Sequence, residues 1–320
     1  MNHRQLLNVK AQPTMYVIGD SLSDTGALVS GATALFKHLK MPKIVKMLPP
    51  FYNNSFSNGP VAIQIVAEHL GITLTSGWKF EVFGFSDEQI GNNYAFVGAL
   101  ASKINEFGVD SFIYNHFDSY HQVQALVQQH HFHEKDLIFI GIGGNDILRA
   151  IKIKDLIEQE KIIDSAIEAL NYNIKLLLEK GATNIMVANA PDISIVPLFK
   201  NNDTVKTRAL ALTKRFNSAL FTMIDTINNK SKTIVKYDLF TSMHNAMNKF
   251  KSLNENHNTI DGAVKTNFNY FIKDGVITTH FNKGVNESNI DEYFFFDDVH
   301  PNKWVHNYIA QDIIALIKNK

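Results

Sequence analysis

Four short apolar runs punctuate the chain, each closing on a small or polar residue: Met15–Gly19, Asp136–Gly141, Asn184–Asn189 and Thr233–Tyr237. Between and after them lie stretches whose apolar positions recur with helical spacing: 60–70, 119–130, 161–180, 205–228 and 302–318. Short apolar strands alternating with amphipathic helices predict an α/β fold, a parallel sheet covered by helices on both faces. Gly181 is placed to stop the third helix, and Asn184 to open the strand that follows it. Two segments break the alternation. Residues 27–57 carry Met41-Pro42 and Leu48-Pro49-Pro50-Phe51-Tyr52, and residues 241–292 are rich in Asn, Phe and Lys without a clean period. Their aromatic content predicts packed loops with short extra strands rather than disorder. With no internal repeat and no linker-like stretch, residues 1–320 read as a single domain with insertions at about 27–57 and 241–292.

Composition narrows the chemistry. The 320 residues carry a formal net charge of +0, which gives no electrostatic footprint for nucleic acid. There is no cysteine, which excludes a disulfide framework, a thiolate nucleophile and cysteine-ligated zinc. No run approaches the roughly 20 apolar residues of a membrane-spanning helix, so no transmembrane segment is expected. Residues 1–14 have a basic start without the apolar core of a secretory signal. The chain is expected to be intracellular, exported by a route that needs no such signal, or a mature form whose signal was removed.

In an open parallel sheet, ligands bind beyond the carboxyl ends of the strands. The polar clusters of this chain fall there. Asp20-Ser21 follows the first strand, Gly143-Gly144-Asn145-Asp146 the second, and Ala190-Pro191-Asp192 the third. Asp297 and His300 follow the aromatic run Tyr293–Phe296 and precede the last helix. Ser, His and Asp are the residue types of nucleophilic acyl transfer, in which an imidazole takes the serine proton. Each cluster also has a plain structural reading. Asp and Ser after a strand cap helices, Asp-x-x-His before a proline can open a surface helix, and Gly-Gly-Asn-Asp makes a turn. The G-x-S-x-G elbow of the α/β-hydrolases is missing around Ser21. His130, His131 and His133 read as a solvated helix end rather than a metal site, so no metal and no cofactor are expected.

Taken together, four blocks in order resemble the GDSL hydrolases, also called the SGNH superfamily. They are 19–26 around Gly19-Asp20-Ser21-Leu22, 93–99 (Asn93-Tyr94-Ala95-Phe96-Val97-Gly98-Ala99), 143–146, and Asp297-Asp298-Val299-His300-Pro301. The resemblance implies a three-layer α/β/α sandwich with a central parallel sheet. It implies Ser21 as nucleophile, His300 as base and Asp297, in preference to Asp298, as the residue orienting it. Ser21 N–H, Gly98 N–H and Asn145 Nδ2 become the implied oxyanion donors. Asp24 and Asp146 read as hydrogen-bonding braces for the loops.

Further segments resemble the lecithinase/haemolysin branch: Phe56–Val61, Ala67–Gly71, and 181–192 from Gly181-Ala182-Thr183-Asn184 to Asp192. That branch implies phospholipase A, lysophospholipase or glycerophospholipid:cholesterol acyltransferase activity, with lipid esters as substrate. Several of its members are secreted toxins or effectors. The loop Ile44–Tyr52 is apolar with basic flanks; it can either rest on a lipid surface as a peripheral membrane contact or pack on the sheet. A short-chain or carbohydrate esterase is an alternative, as is a non-catalytic lipid- or protein-binding module on the same scaffold.

Overall fold

A computed structural model describes residues 13–41, 43–78, 91–103, 116–231 and 234–319. Its centre is a parallel sheet of four strands in the order β1-β3-β4-β5: β1 Met15–Gly19, β3 Leu137–Gly141, β4 Ile185–Ala188 and β5 Ile234–Tyr237. Thr233, the expected start of the last strand, lies outside the described residues. Side chains alternate across the sheet as the period of two requires. Tyr16, Ile18, Ile138 and Ile140 enter one apolar cluster, while Met15, Val17 and Phe139 enter another. The first cluster is covered by helices α3 (Ser119–Gln129), α4 (Gly144–Lys152), α5 (Leu156–Glu179) and α6 (Asp203–Ser231). The second is covered by α2 (Ala62–His69), α7 (Leu239–Leu253) and α9 (Lys303–Lys318). The result is an α/β/α sandwich, with a hydrophobic layer on each face of the sheet. Among the described residues no helix is long and apolar enough to cross a membrane.

The two irregular segments contain more regular structure than loops with short strands. The first holds α1 (Ala27–His38) and the two-residue strand β2 (Lys46–Met47). The second begins inside α7, which carries its apolar residues at Leu239, Met243, Ala246 and Phe250, a helical spacing, and is capped by the Asp238 carboxylate accepting from Thr241 N. It continues through β6 (Asn258–Gly262), β7 (Val264–Asn267), the single turn α8 (Phe271–Asp274) and β8 (Val276–Phe281). Helix α4, which opens at the Gly143-Gly144-Asn145-Asp146 block, is not among the helices the periodicity predicts, and α5 starts at Leu156, five residues before the periodic stretch predicts. Its start is fixed by Asp155, whose carboxylate accepts from Ile157 N and Glu158 N.

The two segments meet. Lys46 and Met47 pair with Val276 and Ile277, which adds β2 to the β8–β7 ribbon. A third apolar cluster forms between them, with Val45, Met47, Phe51 and Phe56 from the first segment and Val264 and Ile277 from the second. Val45, Met47 and Phe51 of the Ile44–Tyr52 loop therefore pack inside, while Ile44, 80% exposed, Lys46 and Pro49 stay in solvent.

Candidate active site

The carboxyl ends of β1 and β3 and the loop before α9 bring the expected residues together. Strand β9 (Tyr293–Phe295) pairs with β6 and delivers the chain to Asp297. Gly262 of β6 lies so close to this turn that a Cβ on it would fall 2.5 Å from the Asp297 carbonyl oxygen, so only glycine fits. The turn is closed by Phe296 N donating to His300 O at 2.7 Å. Asn302 then starts α9, its side chain accepting from Val305 N.

His300 Nε2 lies 2.9 Å from Ser21 Oγ, and His300 Nδ1 lies 2.9 Å from each Asp297 carboxylate oxygen. Asp297 rather than Asp298 holds the ring. Its Oδ1 also accepts from Val299 N and His300 N, and its Oδ2 accepts from Thr266 Oγ1 at 2.9 Å. Burial works to raise the Asp297 carboxyl, but the charge and hydrogen bonds of His300 outweigh it and hold Asp297 below the usual carboxylate range. Burial likewise works against a charged His300; the charge and hydrogen bond of Asp297 outweigh it, so the imidazole stands above its ordinary value. A hydroxyl joined through imidazole to a buried carboxylate can pass its proton to the ring as it attacks a carbonyl.

The loops around Ser21 are stitched by buried carboxylates. Asp24 accepts from Gly26 N, Ala27 N and Leu28 N in its own loop and from Val97 N in the second block. Asp146 accepts from Ala101 N and Ser102 N, tying α4 to the second block. Both act as braces, as expected from the sequence. Burial pushes the Asp24 carboxyl up to about 6 against the pull of those four donors, and raises Asp146 likewise. Asp20, beside Ser21, is also raised to about 6 by burial, with Leu22 N–H and the His300 charge pulling the other way.

Asn145 sits in the first turn of α4, and its Nδ2 donates one hydrogen to Ala99 O at 3.0 Å, which fixes the direction of the second. Gly98, next to that carbonyl, adopts a left-handed φ of 77°, a conformation that favours glycine. Among the described residues neither Ser21 N–H nor Gly98 N–H has a hydrogen-bond partner. Ser21, Asn145 and His300 line one cleft, whereas Gly98 adjoins it without forming part of its wall.

Two contributors went unnoticed in the sequence. Thr266 comes from the second irregular segment, and Phe56 places its ring 4.9 Å from that of His300. The Tyr293–Phe296 run is core, as expected, with Phe294, Phe295 and Phe296 fully buried. His131 and His133 are exposed, but His130 departs from the solvated reading. It is half-buried, with Nε2 2.8 Å from Gly91 O and its ring against Tyr16. Among the described residues no group of three or more His, Cys, Asp or Glu side chains could hold a metal ion.

Comparison with known proteins places the chain. Phosphatidylcholine-sterol acyltransferase from Aeromonas hydrophila is 28% identical over 193 residues, 59% of this chain and 48% of that protein. A GDSL esterase/lipase from Arabidopsis thaliana is 25% identical over 193 residues, 55% of this chain and 46% of that protein. The chain spans about half the length of both relatives. A solved structure of a lipolytic G-D-S-L family member from Veillonella parvula superposes with a TM-score of 0.45 at 12% identity, covering 96% of this chain and 99% of that one. The model of the family described as GDSL-like Lipase/Acylhydrolase matches residues 15–313, and the chain belongs to that family.

Proposed function

We propose that the chain is a serine ester hydrolase that cleaves acyl esters of phospholipids or lysophospholipids through an acyl-enzyme on Ser21. The observation that carries this reading is the hydrogen-bonded line Ser21–His300–Asp297 opening onto a cleft walled mainly by apolar side chains. Ser21 Oγ attacks the ester carbonyl while its proton passes to His300 Nε2. The collapsing tetrahedral intermediate expels the alcohol, which leaves with that proton. Water then gives a proton to His300 and its hydroxide adds to the acyl group. Collapse releases the carboxylic acid and returns the proton to Ser21. Asp297 stabilises the imidazolium and fixes the tautomer without being protonated. Ser21 N–H, Gly98 N–H and Asn145 Nδ2 are the donors assigned to the oxyanion.

Lipid is favoured over a small ester by the family, by the similarity to a phosphatidylcholine-sterol acyltransferase, and by the surface beside the site. Phe268, Tyr270 and Ile272 are each about half exposed or more, and Lys43 Nζ donates to Ile272 O next to the exposed Ile44. Exposed apolar side chains beside lysine suit a peripheral contact with a phospholipid surface. A sterol replacing water as acceptor would turn the same acyl-enzyme toward acyl transfer.

Incubation with mixed phospholipid, lysophospholipid and cholesterol tests the proposal through its products. Free fatty acid is expected, and a cholesteryl ester would add acyl transfer. Cleavage of acetyl esters alone would replace lipid with a small ester as substrate, and no cleavage of any ester would leave a binding module. Asn145→Ala is expected to lower kcat by roughly 10²–10³-fold with little change in KM, since the oxyanion exists only in the transition state. Steady-state kinetics on a soluble ester checks it, and an equal rise in KM with kcat kept would remove Asn145 from that role.

A further inference from the structure

The two irregular segments meet a second time, outside their buried cluster. Residues 268–275 form one hydrogen-bonded turn: Phe271 N donates to Phe268 O, Asp274 N to Tyr270 O and Gly275 N to Phe271 O. Phe271 turns inward, its ring 5.4 Å from that of Phe36 on α1. Its neighbours Tyr270 and Ile272 stay in solvent, 49% and 65% exposed. The first segment holds this turn from the side. Lys43 Nζ donates to Ile272 O at 2.6 Å, and Lys46 N donates to Gly275 O at 3.0 Å. Gly275 has a left-handed φ of 69°, and a Cβ on it would fall 3.3 Å from Ile44 O, so the exposed Ile44 stands beside the turn. Single exposed apolar residues are ordinary on a protein surface. Three gathered at one tip, with Phe268 behind them, make a patch.

The charge around this tip is as uneven as its polarity. The whole chain balances 31 basic against 31 acidic residues. Segments 37–46 and 265–283 carry seven lysines, no arginine and one acidic residue, Asp274. All of those lysines but the half-buried Lys43 are exposed. Lys46 lies opposite Val276 and Lys265 opposite His280 in the β2-β8-β7 ribbon. Val276 and His280 share a face of β8, so Lys46, Lys265 and His280 stand on one side of the ribbon. Met47, Ile277 and Val264 take the other side, in the third apolar cluster.

Protein-binding hot spots favour arginine and aromatic side chains seated in pockets. Exposed apolar tips among lysines match a bilayer boundary instead, because a lysine stem can lie along apolar surface while its ammonium group stays in water. We propose that this ridge docks the protein on an anionic phospholipid surface, with Ile44, Tyr270 and Ile272 entering the headgroup layer and the lysines facing lipid phosphates. A few apolar side chains alone hold weakly, and the basic residues supply the second signal. Each lysine near an anionic surface adds about fivefold to binding.

The ridge also reaches the site. Phe268 stacks on Phe56 with ring centroids 6.5 Å apart, and Phe56 is the ring against His300. Thr266, two residues before Phe268, holds Asp297. Resting on the hydrolase reading above, docking through the ridge brings ester lipids of the same surface within one aromatic ring of the base.

The test is sedimentation of the full chain, as Ser21→Ala, with vesicles of phosphatidylcholine and with vesicles of phosphatidylcholine and phosphatidylglycerol. No lipid is consumed, so binding is read apart from hydrolysis; cleavage of a soluble butyryl ester by the wild type reports separately on Ser21. Binding to the anionic vesicles is expected to be tighter by at least about tenfold, a preference lost at about 1 M salt, where the screening length falls to about 3 Å. Lys46→Gln with Lys273→Gln should weaken that binding by about twentyfold. Ile44→Ser with Ile272→Ser should weaken it by about tenfold and keep its salt dependence. Equal binding to the two vesicles, binding to neither, or undiminished binding by both double variants overturns the proposal. Circular dichroism checks that the variants are folded. A second measurement reads orientation. The chain has no cysteine, so Ile272→Cys and Leu156→Cys each take a single polarity-sensitive fluorophore. Anionic vesicles are expected to shift the emission at position 272 to the blue and leave that at 156, on α5, unchanged. A shift at 156 alone, or an equal shift at both, overturns the proposal.

Discussion

Ser21→Ala is expected to lower kcat for ester hydrolysis on the order of 10⁶-fold while leaving the fold intact. The size follows from the role: without Oγ no acyl-enzyme forms, and only the oxyanion donors and substrate binding remain to assist direct attack by water. The fold survives because Ser21 is half-buried at a strand end and loses one hydrogen bond, to His300 Nε2. A surface-side loss of that kind changes stability by about 1 kcal/mol. A fluorophosphonate should add its mass to the wild type and not to the variant. His300→Ala should lower kcat nearly as far, and the double variant little further, because the two residues act as one unit. Retained ester cleavage by Ser21→Ala would end the assignment of the nucleophile.

Much of this site was legible because its parts sit in short blocks at strand ends. Ser21, Asn145, Asp297 and His300 each lie within a few residues of the strand that positions them, so local pattern places them on one sheet edge. Asp24 and Asp146 were readable as braces for the same reason. Thr266 was not. It lies 31 residues from Asp297, in a stretch without a clean period, and reaches the carboxylate only because β7 and β8 fold back over the loop. The pairing of Lys46 with Val276 joins segments far apart in the chain, and no single-sequence pattern encodes that register. It also divides the Ile44–Tyr52 loop between its two readings, lipid contact and packing: Val45, Met47 and Phe51 are buried against the second segment, while Ile44 stays exposed. Helix α7 was hidden by composition. Its apolar positions are spaced correctly, but Ser, His, Asn and Lys fill the rest, and Ser, His and Asn are indifferent helix formers.

Asp297→Asn is expected to lower kcat by roughly 10⁴-fold and to move the acid limb of the pH profile downward. The sign follows from the direction of the His300 shift. His300 must be neutral to accept the serine proton, so activity rises with pH as the imidazolium is lost. In the wild type Asp297 raises His300 above its ordinary value, which puts the midpoint of kcat/KM above about 6.5. Asparagine removes the negative charge facing Nδ1 and can present an N–H where the ring needs an acceptor. The imidazolium is then less stable, so the midpoint falls, while the wrong tautomer lowers the rate. Two other titratable groups face His300. Asp20 still favours the charged ring after the substitution and, raised to about 6, weakens that support below its own titration. His306, held neutral, adds no charge. Thr266→Val separates orientation from charge. It removes one hydrogen bond to Asp297 Oδ2 but keeps the carboxylate, so it should lower kcat far less and leave the midpoint nearly in place. A pH–rate series on the three proteins reads this directly. An Asp297→Asn limb that stays at the wild-type pH would mean that His300 is not the titrating base.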